Sequence, residues 1–218
     1  MKCYKQLGII LAGGVLAVGI SATWAYFSDR NDIANPFHTS NSAIDMIENY
    51  NPAETVLPGE TVEKEPYFVN QGSTDLVLRL KMDTYWIDQN GNRKDDLGGA
   101  YIFGGLQPEE DDYVTLYLPD GWDDDWVQIE DYYYYKHILP GKEEGVQNTT
   151  SNFLDHLTLS PEVSNDAHAA DYSSCKFIVD FHAEAVPADE LAIEVADWDL
   201  TQTDADGLLD WAELLPES

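Results

Sequence analysis

The chain has 218 residues, and its 41 Asp and Glu residues outnumber its 11 Lys and Arg residues, for a formal net charge of −30 at pH 7. A surface with this charge repels nucleic acid phosphates and anionic membranes, which excludes proteins that bind them through basic patches. A hydrophobic content of 44% and an aromatic content of 12% exclude a solvated, disordered chain. The length predicts one domain, or one domain with a tail.

The first 25 residues have the layout of a secretory signal peptide, with a basic head followed by an apolar run. Thr23 and Ala25 supply the small side chains that a signal peptidase needs, so we predict cleavage between Ala25 and Tyr26. The alternative is that residues 7–27 stay as a membrane anchor, because they reach the roughly 20 residues that a spanning helix needs. Cleavage would leave 9 basic residues against 41 acidic ones, a net charge of −32.

The cysteine content argues against a disulfide framework. Only Cys3 and Cys175 are present, and cleavage would remove Cys3, so no intrachain disulfide is expected. Cys175 begins an alternating run in which Phe177, Val179 and Phe181 share its face. This period of two predicts a strand with Cys175 in the core.

Several other stretches also alternate with the period of a strand. They are TDLVLRLKMD at 74–83, YVTLYL at 113–118 and the two halves of WVQIEDYYYYKHIL at 126–139, which predict a hairpin. Turn residues separate these runs. Residues 187–198 fit a strand or a short helix, and the sequence leaves both open. We therefore predict an all-β antiparallel sandwich over residues 38–198.

After Trp198 the chain becomes acidic, and residues 199–218 are predicted to form a tail with a short helix. Setting Gly207 at position 6 of an EF-hand loop puts acidic residues at positions 3, 5, 9 and 12, namely Asp204, Asp206, Asp210 and Glu213. Position 1 would be Gln202, which lacks the expected carboxylate. The spacing therefore predicts weak Ca²⁺ binding at most, and the alternative is an acidic loop that binds no metal.

Four motifs together resemble the TasA/camelysin family of secreted bacterial biofilm matrix proteins, and its BsaA-type branch in particular. In chain order they are ATWAYFSDRNDIANPF from residue 22, LPGETVEKEPYFVNQGSTDLVLRLKM from 57, DWVQIEDYYYYKHILPGKEE from 125 and FIVDFHAEAVPAD from 177. The resemblance implies a jelly-roll-like β-sandwich, processing by a SipW-type signal peptidase, and a location in the extracellular matrix or at the cell surface of a bacterium.

The resemblance also implies a structural function. Mature subunits of the family polymerise into fibres by donor-strand complementation, in which the freed N-terminal segment adds a strand to the sheet of the next subunit. The partner would be another copy of this chain, with related matrix subunits as further candidates, and no cofactor would be required.

Residues 26–37 are the candidate donor strand. Their bulky apolar side chains, which could fill pockets in an acceptor, are Tyr26, Phe27, Ile33 and Phe37. Pro36 has no N–H and would limit pairing at its own position. The alternative is that these residues form the first strand of their own domain.

An enzyme is the first rival, because camelysin is described as a metalloprotease. A zinc protease of that kind uses two histidines one helical turn apart in an HExxH motif, and this sequence has none. Its five histidines are scattered along the chain, at His38, His137, His156, His168 and His182. We therefore predict no catalytic residues. The second rival is a monomeric, membrane-anchored surface domain that binds Ca²⁺.

Overall fold

A computed structural model describes residues 25–34, 44–48, 56–105, 109, 111–163, 172, 175–198 and 208–214. For residues 25–34 we describe the backbone pairing alone. The predicted signal segment before Ala25 lies outside the described residues, as do Phe37, Asp204 and Asp206.

Strands dominate the described residues, which confirms the predicted all-β class. In chain order the strands are β1 (Ala25–Ala34), β2 (Ile44–Ile47), β3 (Thr61–Glu63), β4 (Tyr67–Asn70), β5 (Leu76–Ile87), β6 (Arg93–Lys94), β7 (Gly99–Ile102), β8 (Asp112–Tyr117), β9 (Trp126–Ile129), β10 (Tyr132–Tyr135), β11 (His156–Leu159) and β12 (Cys175–Pro187). The helices are α1 (Trp122–Asp125), α2 (Glu190–Val195) and a 3₁₀ turn at Ala212–Leu214.

Two sheets and a two-stranded ribbon organise these strands. The larger sheet has the order β1-β12-β5-β10-β9, with β6 also paired to β5. The smaller sheet has the order β3-β11-β8-β7, and β2 pairs with β4. Most pairs are antiparallel, as predicted, but β1 runs parallel to β12 and β7 runs parallel to β8. The jelly-roll connectivity stays a prediction.

The main core lies between the two sheets, which therefore form a sandwich. Alternate residues of β12 and β5 face alternate residues of β8 and β11, and together they make one buried cluster that includes Leu78, Trp86, Leu116, Leu157, Phe177 and Phe181. Cys175 belongs to this cluster and is 4% exposed, which confirms its predicted burial. The period of two in the sequence thus identified the inward face correctly.

The hairpin predicted within residues 126–139 is present as β9 and β10, with Glu130 at φ 54° in the turn. The β5–β6 hairpin turns at Asn90-Gly91, where Gly91 has φ 83°. Asp88 closes this second turn by accepting hydrogen bonds from the backbone of Asn90 and Asn92. Hydrogen bonds from the Asn92 side chain and backbone lower the pKa of Asp88 to about 2.

A second, smaller cluster covers the outer face of the larger sheet. It joins Val77, Tyr134 and Val186 of the sheet to α2 and to the C-terminal segment. Leu209 is buried and Trp211 is fully buried, and the Trp211 Nε1 donates to the Tyr135 carbonyl over 3.1 Å. The C-terminal segment is therefore docked through residues 208–214.

Residues 187–198, which the sequence left open between strand and helix, divide between the two. The end of β12 reaches Pro187, and α2 follows with Asp189 as its N-cap, whose side chain accepts from the Ala192 N–H over 3.0 Å. Asp is among the preferred residues at this capping position, which is why the helix begins there.

Candidate strand-exchange site

The longest strand, β12, is the feature of the fold that bears most directly on strand exchange. On one side it pairs with β5 over its residues 176–187, in antiparallel register. On the other side it pairs with β1 over residues 175–184, in parallel register. Because β12 lies between an internal strand and the N-terminal strand, it would become the edge of the sheet if β1 left.

The predicted donor residues fall on β1 except for Phe37, which lies outside the described residues. Phe27 lies opposite Phe177 and Ile33 lies opposite Ala183, and both of these β12 residues line the main core. Tyr26 lies opposite Lys176, in the other alternation. Ala25 and Tyr26, which flank the predicted cleavage bond, are the first two residues of the strand.

This arrangement is the second of the two alternatives for residues 26–37, since β1 pairs with a strand of its own chain. Exchange of that strand between subunits stays a prediction. The backbone groups of β12 that β1 occupies are the same groups that a second copy of β1 would need.

The outward face of β12 carries ionisable side chains at Asp180, His182 and Glu184, a row that the sequence analysis did not single out. The signal was present in FIVDFHAEAVP, where the residues between the core positions are polar. This pattern indicates cross-strand pairing of charges only once the residues opposite on β5 and β1 are known. Those neighbours are distant in sequence, so a single strand could not reveal it.

Each of these side chains has a charged residue opposite it on β5. Glu184 lies opposite Arg79 and forms an ion pair with it, at 2.6 Å between Oε2 and NH2. Asp180 lies opposite Asp83, so two carboxylates are neighbours. Asp83 also pairs with the Arg93 guanidinium at 2.9 Å, and Asp180 accepts from the Tyr85 hydroxyl at 3.1 Å.

The next row along β12 carries basic groups. His182 lies opposite Lys81. The Lys81 ammonium is 3.2 Å from Asp131, and the His182 Nε2 is 3.4 Å from the Glu184 carboxylate. Along this face, successive rows across β12 and β5 therefore hold two acidic residues, then two basic residues, then an ion pair.

The described histidines do not fit the zinc centre of a metalloprotease. His137 follows β10 and lies between the carboxylates of Asp125 and Asp210, with Nε2 3.0 Å from Asp125. His156 is on β11 in the smaller sheet, and His182 is on β12 in the larger sheet. Within the described part of the chain, no three His, Cys, Asp or Glu side chains group as metal ligands would.

The predicted Ca²⁺ ligands are only partly described. Asp204 and Asp206 lie outside the described residues. Asp210 is exposed and meets the His137 Nδ1, while its N–H donates to the Lys136 carbonyl over 2.9 Å. Glu213 is exposed in the 3₁₀ turn. Asp210 thus helps to hold the C-terminal segment against the end of β10.

Among the described residues, no helix is long and apolar enough to cross a membrane. A family model described as camelysin metallo-endopeptidase matches residues 2–112, which are 111 of the 218 residues. Comparisons with curated proteins and with solved structures gave no match.

Proposed function

The chain belongs to the camelysin family, and we propose that it is a secreted structural subunit of biofilm matrix fibres, without catalytic activity. In this proposal the subunits polymerise by donor-strand complementation, and the N-terminal segment is the donor. The observation that carries the proposal is the position of residues 25–34 as an edge strand on β12.

An edge strand of this kind can be exchanged between copies at little cost. It meets its sheet along one side, through backbone pairing that a second copy reproduces. A copy that gives its strand to one neighbour and receives a strand from another makes a head-to-tail contact. Such a contact does not close on itself, so it extends into a filament.

Cleavage of the signal peptide would control when the strand becomes available. The predicted bond between Ala25 and Tyr26 lies at the start of β1. A SipW-type signal peptidase would therefore release the donor strand at its own N-terminus. In this proposal assembly takes place outside the cell, in the matrix or at the cell surface.

The proposed partner is a second copy of this chain, and related matrix subunits are further candidates. A net charge of −30 supports a partner other than nucleic acid. No cofactor is needed for strand exchange. Weak Ca²⁺ binding by the acidic C-terminal residues is a separate expectation, on which the proposal does not depend.

The test compares the chain that begins at Tyr26 with one that also lacks residues 26–36, each incubated at high concentration. Light scattering and electron microscopy should detect filaments from the first chain and none from the second. Circular dichroism of both chains verifies that the sandwich remains folded. Filaments from both chains would place the assembly contact elsewhere, and filaments from neither would contradict the proposal.

A protease is the second candidate, because the matched family is described as a metallo-endopeptidase. A casein assay with and without a metal chelator separates the two functions. Chelator-sensitive hydrolysis by the purified chain would favour the protease. We expect no hydrolysis above the rate of a buffer control.

A further inference from the structure

Two charged residues of β1, Arg30 and Asp32, lie in register with two rows of ionisable side chains on the outward face of β12. Arg30 lies opposite Asp180, in the row of two carboxylates, and it is the only Lys or Arg between positions 6 and 63. Asp32 lies opposite His182, in the row that continues to Lys81. Each of these two rows therefore meets a residue of opposite charge.

The third row, which contains Glu184, has no charged residue on β1. Glu184 already forms an ion pair with Arg79, and the residue opposite it on β1 is the uncharged Ala34. The buried hydrophobic residue Ile178 lies opposite Ser28 in the register. Among the alternate positions 28, 30, 32 and 34, β1 thus carries a charge at Arg30 and Asp32 alone, in the row of two acidic residues and the row of two basic residues.

We propose that this charge pattern sets the register in which an N-terminal strand pairs with β12, whether the strand comes from the same chain or from a neighbouring subunit. The proposal deepens the proposed function, on which its second part rests. It assigns Arg30 and Asp32 as the residues that specify the register, and Asp180 and His182 as the residues that recognise them.

The physical reason is that a strand pairs through backbone groups that repeat along its length, so the backbone alone permits slippage. A slip of one residue is opposed by the alternation, because it moves every side chain to the other face. A slip of two residues keeps the faces, and charge must oppose it. Opposite charges across strands stabilise a pair, and like charges destabilise it.

Both slips of two residues produce like-charge contacts. In one direction Arg30 would move into the row that holds the Lys81 ammonium, and Asp32 would move opposite Glu184. In the other direction Asp32 would move opposite Asp180, which already faces Asp83. The observed register is the one of the three that avoids these contacts, and rejection of the wrong registers provides specificity.

The test uses disulfide trapping in the chain that begins at Tyr26, with Cys175→Ser to remove the native thiol. Ser28→Cys with Ile178→Cys traps the observed register, since directly opposite residues lie within disulfide reach. Ser28→Cys with Lys176→Cys traps a slip of two residues. The measured quantity is the ratio of the two cross-linked yields in a fixed glutathione redox buffer, by mass spectrometry and non-reducing electrophoresis.

The matched variant exchanges the two charges within β1, as Arg30→Asp with Asp32→Arg, so that composition and net charge stay the same. In the slipped register the new Arg at position 32 would lie opposite Asp180. We expect the ratio to favour position 178 by roughly tenfold before the exchange and to fall by at least that factor after it. Adding Asp180→His with His182→Asp should restore the preference for position 178.

An unchanged ratio in the exchanged variant would overturn the inference, as would a failure of the β12 exchange to restore it. Circular dichroism of every variant verifies the fold. A failure of this inference can be distinguished from a failure of the proposed function, because both intrachain and interchain cross-links report the register. The expected ratios with no filaments would leave the inference standing for the single chain and contradict the proposed function. Filaments with an unchanged ratio would contradict the inference alone.

Discussion

The two ends of the chain attach to the same sheet by different physical means. At the N-terminal end, Ala25–Ala34 adds to the edge of β12 in ten consecutive register positions. At the C-terminal end, residues 208–214 attach to the outer face through side chains, with Trp211 fully buried among Tyr134, Trp198 and its other neighbours. The structure describes the first attachment as a backbone ladder and the second as side-chain packing.

This difference determines which end can be exchanged between subunits. A backbone ladder offers the same groups to any extended segment in the right register, so a second copy can replace the first. A packed tryptophan instead fills a cavity of one shape, and its removal leaves apolar surface without contacts. We therefore expect the N-terminal strand to exchange and the C-terminal segment to stay with its own chain.

The largest effect should come from removing the C-terminal anchor. Trp211→Ala leaves a cavity next to Tyr134 and Trp198 and removes the hydrogen bond to Tyr135. Replacing a buried Trp by Ala costs about 3–5 kcal/mol. Urea unfolding followed by circular dichroism should measure this loss of free energy.

Leu191→Ala is the control for that loss, because Leu191 is 66% exposed on α2. It should change the free energy of unfolding by less than about 0.5 kcal/mol. Equal effects of the two substitutions would mean that the C-terminal segment does not anchor the fold.

A smaller effect is expected from the N-terminal end, and it should depend on backbone position. Alternate N–H groups of an edge strand point toward the neighbouring strand or away from it, and proline removes an N–H. Of the two adjacent substitutions Ser28→Pro and Asp29→Pro, one should therefore weaken docking of β1 by about 1–3 kcal/mol and the other should not.

Docking of β1 can be measured by the hydrogen-exchange rates of the β12 amides, which should rise when β1 is displaced. The two variants provide controls for each other, since each places the same residue on the same strand. Equal effects would indicate that side chains, and not the backbone ladder, hold the strand. The two ends of the chain would then be held by the same kind of contact.

The sequence predicted those features of the fold that depend on local residue patterns. Alternation identified β5, β8 and β12 with their inward faces, and the burial of Cys175 followed from it. The partner of β1 could not be predicted, because Ala25 and Cys175 are 150 positions apart and several strands could have offered an edge. The burial of Trp211 was missed for a similar reason, since its neighbours lie on β10 and beside α2.

Alkaline pH should loosen the C-terminal attachment selectively. Burial raises the pKa of Tyr135 to about 12, and burial also raises the pKa of Tyr134, whose ring contacts Trp211. Because the folded-state pKa lies above the unfolded value near 10, the stabilisation is complete below pH 10 and is lost as pH rises toward 12. For Tyr135 the loss is on the order of 1 kcal/mol.

Absorbance of tyrosinate at alkaline pH, recorded together with Trp fluorescence, would measure this loss. The Trp signal should change in the same pH range in which the late tyrosines ionise. Tyr134→Phe removes one of the titrating groups and should reduce the pH dependence. A Trp signal that changes below pH 10 would contradict the assignment.

The smallest effect concerns the charged contact at the edge of the C-terminal attachment. Asp210→Asn removes a carboxylate from His137 but keeps the backbone hydrogen bond to Lys136. The Asp210 side chain is 65% exposed, and exposed ion pairs contribute about 0.2–1 kcal/mol. We expect a loss in that range, measured by urea unfolding followed by circular dichroism.

His137→Gln is the partner variant, and the double variant should cost no more than the larger of the two single losses, because the two substitutions remove the same contact. Adding Ca²⁺ to each chain separates this contact from metal binding. If Asp210 is a Ca²⁺ ligand, the native chain should gain stability with Ca²⁺ and the Asp210→Asn chain should not. A loss well above 1 kcal/mol without Ca²⁺ would mean that charge, as well as packing around Trp211, holds the C-terminal end in its own subunit.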